Sequence, residues 1–241
     1  MLPKHKVERS QSTHAILDEK SRIKKADKII KIVSQYQNLE SSSLLDIGTG
    51  SGHISYEFSR NAKSVASVDV TDERHIKEGY SFDLVENEKL PYENLSFDIV
   101  VSNHIVEHVQ DQDLHLKEAM RVLKPNGVLY LATPNKLWLT DPHYKLPLLN
   151  WMPRKLSNAG LKLVSRGKHE WDIYPLSHFE IKKKLSKFEL KNELPFLTRN
   201  SQRLSLDTDG KATRILSKLP TSFDTASIFY SPTLIYTVRH R

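Results

Sequence analysis

Residues 44–55 read LLDIGTGSGHIS: an apolar run that reaches Asp46, then glycines at 48, 50 and 52, then a segment with helical spacing. A chain of this kind ends a strand, turns sharply and starts a helix, because glycine takes positive φ without steric cost. The first amides of that helix lack intrahelical partners, so they favour an anionic or hydrogen-bond-accepting group. A strand, tight turn and helix in this order opens a parallel sheet covered on both faces, and open sheets of this type bind ligands beyond the carboxyl ends of their strands.

The rest of the chain continues the alternation. Residues 43–47, 64–70, 82–85, 97–102 and 128–133 read as strands, 53–60 and 113–123 as helices, and 124–127 (KPNG) as a turn. Between residues 13 and 37, Ile16, Ile23, Ala26, Ile30 and Val33 mark one face of a helix, and six cations from Lys20 to Lys31 crowd the rest, which reads as a solvated face. Ser177 and Glu180 have capping-box spacing before a helix through Ile181 and Leu185; 188–194 and the stretch after Pro232 read as further strands. The expected fold is a Rossmann-like α/β domain with a mostly parallel seven-stranded sheet. Its parts are an N-terminal helical cap (1–40), a cofactor-binding core (41–133), an insertion after the fifth strand (134–175) and a C-terminal helix with strands (176–241). The insertion holds five prolines and all three tryptophans of the chain, and it reads as a lid and acceptor wall outside the sheet.

Two ligands compete for the glycine loop, a dinucleotide such as NAD and S-adenosylmethionine. The spacing is G-x-G-x-G, and Asp46 stands two residues before the first glycine. A carboxylate beside a pyrophosphate repels it, whereas beside the ammonium of a methionine moiety it is complementary. Asp69 ends the second strand, about twenty residues after Gly48, the spacing at which an acid accepts both hydroxyls of a ribose.

The stretch LLDIGTGSG, the SVDV that contains Asp69, and residues 87–135 together resemble the class I S-adenosylmethionine-dependent methyltransferases. The resemblance implies that Gly48, Gly50, Gly52 and Asp46 form the cofactor loop and that Asp69 binds the ribose. It implies an acid beside the adenine just before the LP segment; Glu86 stands there in place of the usual Asp, and Asp83 is the other candidate. It places Asn103 and His104 beside the methionine part of the cofactor.

Methyl transfer to oxygen or nitrogen needs an in-line nucleophile and often a general base. His104 and His108 follow the fourth strand, spaced for one helical face, and His143 sits in the insertion within TDPHYK, beside Asp141 and Tyr144. His143 ranks first as base because it lies in the acceptor wall; His108 ranks second, expected to face the sheet or the cofactor.

The chain of 241 residues has no cysteine, which excludes thiol nucleophiles, Cys-ligated metal and iron–sulfur chemistry. The Asn/Asp-Pro-Pro-aromatic motif of base methylation is also absent, and nucleic acid is disfavoured as a partner. A net charge of +7, with ten basic against four acidic residues between Trp151 and Lys191, suits an anionic acceptor. The expected acceptor is a small molecule or glycan; an RNA, and a cofactor-binding protein without turnover, stay as alternatives. A charged N-terminus and the lack of a long apolar run point to the cytoplasm without a membrane span. Peripheral membrane contact and oligomeric state stay open, and no metal is expected.

Overall fold

A computed structural model describes residues 19–139, 146, 151–152, 154–164, 173–200 and 226–241. Among these, seven strands form one sheet: β1 (Ser43–Ile47), β2 (Ser64–Asp69), β3 (Ser81–Leu84), β4 (Phe97–Asn103), β5 (Leu123–Pro134), β6 (Glu189–Asn192) and β7 (Thr233–Arg239). They lie in the order β3-β2-β1-β4-β5-β7-β6. The first five strands in this order pair in parallel; β7 runs antiparallel to both β5 and β6. The chain reverses its direction of winding between β1 and β4, which puts a crevice at their carboxyl ends.

β1, β4 and β5 are apolar because both faces are covered: Leu44, Leu45, Ile99, Val100, Val101 and Leu129 are all fully buried. Residues of α1 (Glu19–Val33), α2 (His53–Ser59), α3 (Gln112–Val122), α5 (His178–Lys184), α6 (Leu194–Arg199) and α7 (Ser227–Tyr230) join the main core with the sheet, while α4 (Arg154–Val164) contributes to a separate cluster. Asp111 caps α3 by accepting the Leu114 amide, and the expected box of Ser177 and Glu180 caps α5.

Two expectations need correction. KPNG does not separate α3 from the fifth strand. It bulges inside β5, where Phe97 pairs with Leu123 but Ile99 pairs with Val128, so the extra residues loop out of the ladder. The buried stripe of α1 is Ala26, Ile29, Ile32 and Val33, with Ile30 packed at its border, so the helix is rotated from the expected register. As a result the basic face is not wholly solvated: burial lowers the pKa of Lys25 and Lys28, each assisted by a neighbouring cation. The insertion itself carries a regular helix, α4. Leu161 and Ile173 form a small apolar cluster with Leu146, apart from the main core.

Candidate functional site

The glycine loop leaves β1 and enters α2 with Gly48, Gly50 and Gly52 all in the left-handed region, at φ 85°, 54° and 84°. The amides of Gly48 and Thr49 both donate to the Val68 carbonyl, which fastens the loop to β2. The individual glycines serve different ends. A Cβ on Gly48 would lie 2.5 Å from Ile105 Cγ1 and closer still to Cδ1, so the loop is packed there by protein rather than left open for a ligand. At Gly50 a Cβ would meet no clash, the nearest atom being Arg22 Nη1 in ordinary contact at 3.9 Å. Gly52 is the residue before α2, backed by Tyr80 and the Ile76 carbonyl.

Asp46 is buried, with 3% exposure, and its Oδ2 accepts from Ser55 Oγ in α2 at 2.6 Å. Burial pushes its pKa up to about 7; the Ser55 hydrogen bond opposes the rise and the charge of Asp69 adds to it. Asp69 is half-buried at the end of β2. Its Oδ2 accepts the Gly50 amide at 2.9 Å and its Oδ1 the Val70 amide at 2.7 Å. A carboxylate offers about four acceptor positions, so two amides do not saturate it. The Val85 amide, donating to the Asp69 carbonyl, brings the end of β3 alongside. There Asp83 accepts from Tyr92 Oη at 2.8 Å, while Glu86 is exposed in the following bend.

Arg22 escaped the sequence reading. It projects from α1 towards Gly50, and its Nε is buried without a hydrogen-bond partner. Burial lowers its pKa. An orphaned guanidinium donor inside a protein is costly unless something anionic meets it. With Asp46 buried at the entry to the loop, the site offers one cation and one acidic group near the glycine turn. That set fits a ligand bearing both an ammonium and a carboxylate, as the methionine part of S-adenosylmethionine does. The only signal of Arg22 in the sequence was membership of a basic stripe.

At the end of β4, Asn103 is half-buried and His104 takes a left-handed φ of 62°, with its amide bonded to the Ala132 carbonyl of β5 at 2.8 Å. Such a backbone on a non-glycine residue costs about 1–3 kcal/mol and clusters at functional sites. The turn through 105–108 is closed by the His108 amide on the Ile105 carbonyl, and α3 begins only at Gln112. The expected helical face joining His104 and His108 therefore does not exist. Instead Glu107 turns inward, fully buried. Its Oε1 lies 3.2 Å from His104 Nδ1, its Oε2 accepts from Thr133 Oγ1 at 3.0 Å, and its carbonyl accepts the Tyr174 amide at 2.7 Å. Burial raises the Glu107 pKa, but His104 and His108 more than offset it and hold the carboxyl below its usual range. His108 is half-buried. Behind this turn Ser102 Oγ meets His115 Nε2 at 2.9 Å, and burial holds His115 near pKa 4, hence neutral.

The insertion meets the site through Tyr174, and an isolated bridge between Asn135, just after β5, and Leu176 brings its two ends together. His143, Asp141 and Tyr144 lie outside the described residues. Among the described residues no cluster of His, Asp and Glu is arranged to hold a metal ion, and no helix is long and apolar enough to cross a membrane.

Comparison with known proteins agrees with this fold. A methyltransferase-domain family model matches residues 18–171, the span from α1 through the insertion. The ubiquinone biosynthesis O-methyltransferase of Pelagibacter ubique is 30% identical, the match covering 65% of this chain and 66% of that protein. The mitochondrial ubiquinone biosynthesis O-methyltransferase of Bos taurus is 29% identical over 61% of this chain and 42% of its own length. The chain thus spans between about two fifths and two thirds of these curated relatives. The crystal structure of an S-adenosylmethionine-dependent methyltransferase from Mesorhizobium loti shares the fold, with a TM-score of 0.56 and 14% identity over 90% of this chain and all of that one. The fold, the glycine loop with its acids at 46 and 69, and a family match over more than half of the sequence agree: the chain belongs to the methyltransferase-domain family, whose methyl donor is S-adenosylmethionine.

Proposed function

We propose that this protein transfers a methyl group from S-adenosylmethionine to a hydroxyl oxygen of a small-molecule acceptor. The observation that carries the proposal is the charge arrangement at the glycine turn. Arg22, with its unpartnered buried Nε, lies beside Gly50, Asp69 accepts the Gly50 amide, and the buried carboxyl of Asp46 stands on β1 just before the loop. In this reading Arg22 and Asp46 hold the two charged groups of the amino-acid part, and the free acceptor positions of Asp69 take the ribose. Glu86 or Asp83 lies on the adenine side. The donor supplies a methyl group already electrophilic on a sulfonium, so the protein's work is to orient an oxygen in line and exclude water. Positioning of this kind is worth about 7–11 kcal/mol.

The relatives' names, O-methyltransferases of ubiquinone biosynthesis, favour oxygen over nitrogen and a small molecule over nucleic acid. The insertion, carrying the exposed Trp151 and reaching Glu107 through Tyr174, serves as the acceptor wall. The basic excess between residues 151 and 191 suits an acceptor with a negative group. The experiment is incubation with the donor and a panel of catechols, hydroxybenzoates, sugars and a short RNA, read by mass spectrometry. The expected result is the mass gain of one methyl group on a hydroxylated small molecule. Methylation of RNA alone, or of amines alone, contradicts the proposal.

A further inference from the structure

We infer that His104, oriented by Glu107, is the general base that takes the proton of the acceptor hydroxyl at Nε2. The inference rests on the reading that an oxygen is methylated. Three features place it. His104 closes β4 at the crevice between β1 and β4, where the winding of the sheet reverses. Its backbone is held left-handed at φ 62°, by an amide bond to Ala132, so the position of the ring is imposed by the fold rather than by local preference. Its Nδ1 faces a carboxylate with no exposure, itself fixed by Thr133 and by its own peptide's bond to Tyr174, while a third of the imidazole stays exposed.

The proton positions follow from valence. An ionised carboxylate only accepts hydrogen bonds, so neutral His104 carries its hydrogen on Nδ1, towards Glu107. The lone pair is then on Nε2, at the ring edge away from the buried carboxylate. A base in this tautomer is ready without rearrangement, and the imidazolium formed by proton uptake is met by the Glu107 charge, the logic of a nucleophile–histidine–carboxylate array. The step balances. As the acceptor oxygen forms its bond to the methyl carbon, its proton passes to Nε2. The electron pair of the departing methyl–sulfur bond stays on sulfur, which becomes neutral. The tie between Glu107 and Tyr174 makes the base part of the acceptor wall as well as of the sheet.

The test uses His104→Asn, because asparagine tolerates the left-handed backbone that alanine resists. With a catechol acceptor, kcat is expected to fall about 10²–10⁴-fold, the range for loss of a general base. The affinity for S-adenosylhomocysteine should fall far less than kcat does. With a nitrocatechol, whose hydroxyl ionises without help, the loss should shrink to within about tenfold, which a merely structural role would not produce. Independently of activity, long-range nitrogen–proton correlation on the wild type should show neutral His104 protonated on Nδ1, and Glu107→Gln should abolish that preference. Wild-type transfer with an unchanged kcat in His104→Asn overturns the base assignment alone, as does a ring protonated on Nε2. Failure of the wild type to methylate any hydroxyl acceptor defeats the oxygen reading, and the base assignment with it.

Discussion

Gly48→Val is expected to unfold the protein or bring it close to unfolding. Valine at φ 85° pays backbone strain of about 1–3 kcal/mol, and its branches must enter the space that Ile105 fills, an overpacking cost of about 1–3 kcal/mol more. The sum, about 2–6 kcal/mol, is a large part of the 5–15 kcal/mol that holds a domain together. Gly50→Val is the control. It carries the same kind of strain at φ 54° but meets no clash at its Cβ, so the chain should keep its fold and lose affinity for the donor instead. Thermal denaturation of the two variants separates the roles. Equal losses of Tm would show that the Gly48–Ile105 packing contributes nothing beyond strain.

Arg22→Met should weaken binding of S-adenosylhomocysteine by about 10–150-fold, the equivalent of about 1.5–3 kcal/mol for a hydrogen bond to a charged group. Without ligand the same variant should be as stable as the wild type or more so. The substitution removes a buried donor that has no partner and keeps the apolar stem that packs beside the loop. Calorimetric titration alongside a melting curve reads both effects at once. A variant that melts well below the wild type and binds the ligand unchanged would make Arg22 a packing residue of α1 and leave the carboxylate contact to another group.

Much of this arrangement was legible before the structure because it rests on local rules. Strand, glycine turn and helix are dictated by side-chain size and φ. Asp46 and Asp69 are placed by their distance from Gly48 along the chain, and a parallel sheet brings strand ends together whatever the details of packing. What escaped depends on rotation or tertiary context. Arg22 is one cation among several on α1, and which of them turns inward is decided by the rotation that buries Ile29 and Ile32. The histidines at 104 and 108 suggested a helical face, but the left-handed backbone at His104 breaks that period and pairs it with Glu107 instead. KPNG carries strong turn signals, and it does turn; only the pairing of Val128 with Ile99 shows that the turn is a bulge within the strand. α4 lay hidden among prolines, and α6 behind a segment read as strand up to residue 194.

The charges of Arg22 and Asp69 beside Gly50, with Asp46 buried at the entry to the loop, are expected to select a methionine-type ligand rather than a dinucleotide. Isothermal titration of the unmodified protein with S-adenosylhomocysteine and, in parallel, with NAD tests it most directly. S-adenosylhomocysteine is expected to bind saturably at one site per chain, with no heat from NAD at the same concentrations. Saturable binding of NAD with none of S-adenosylhomocysteine would contradict it.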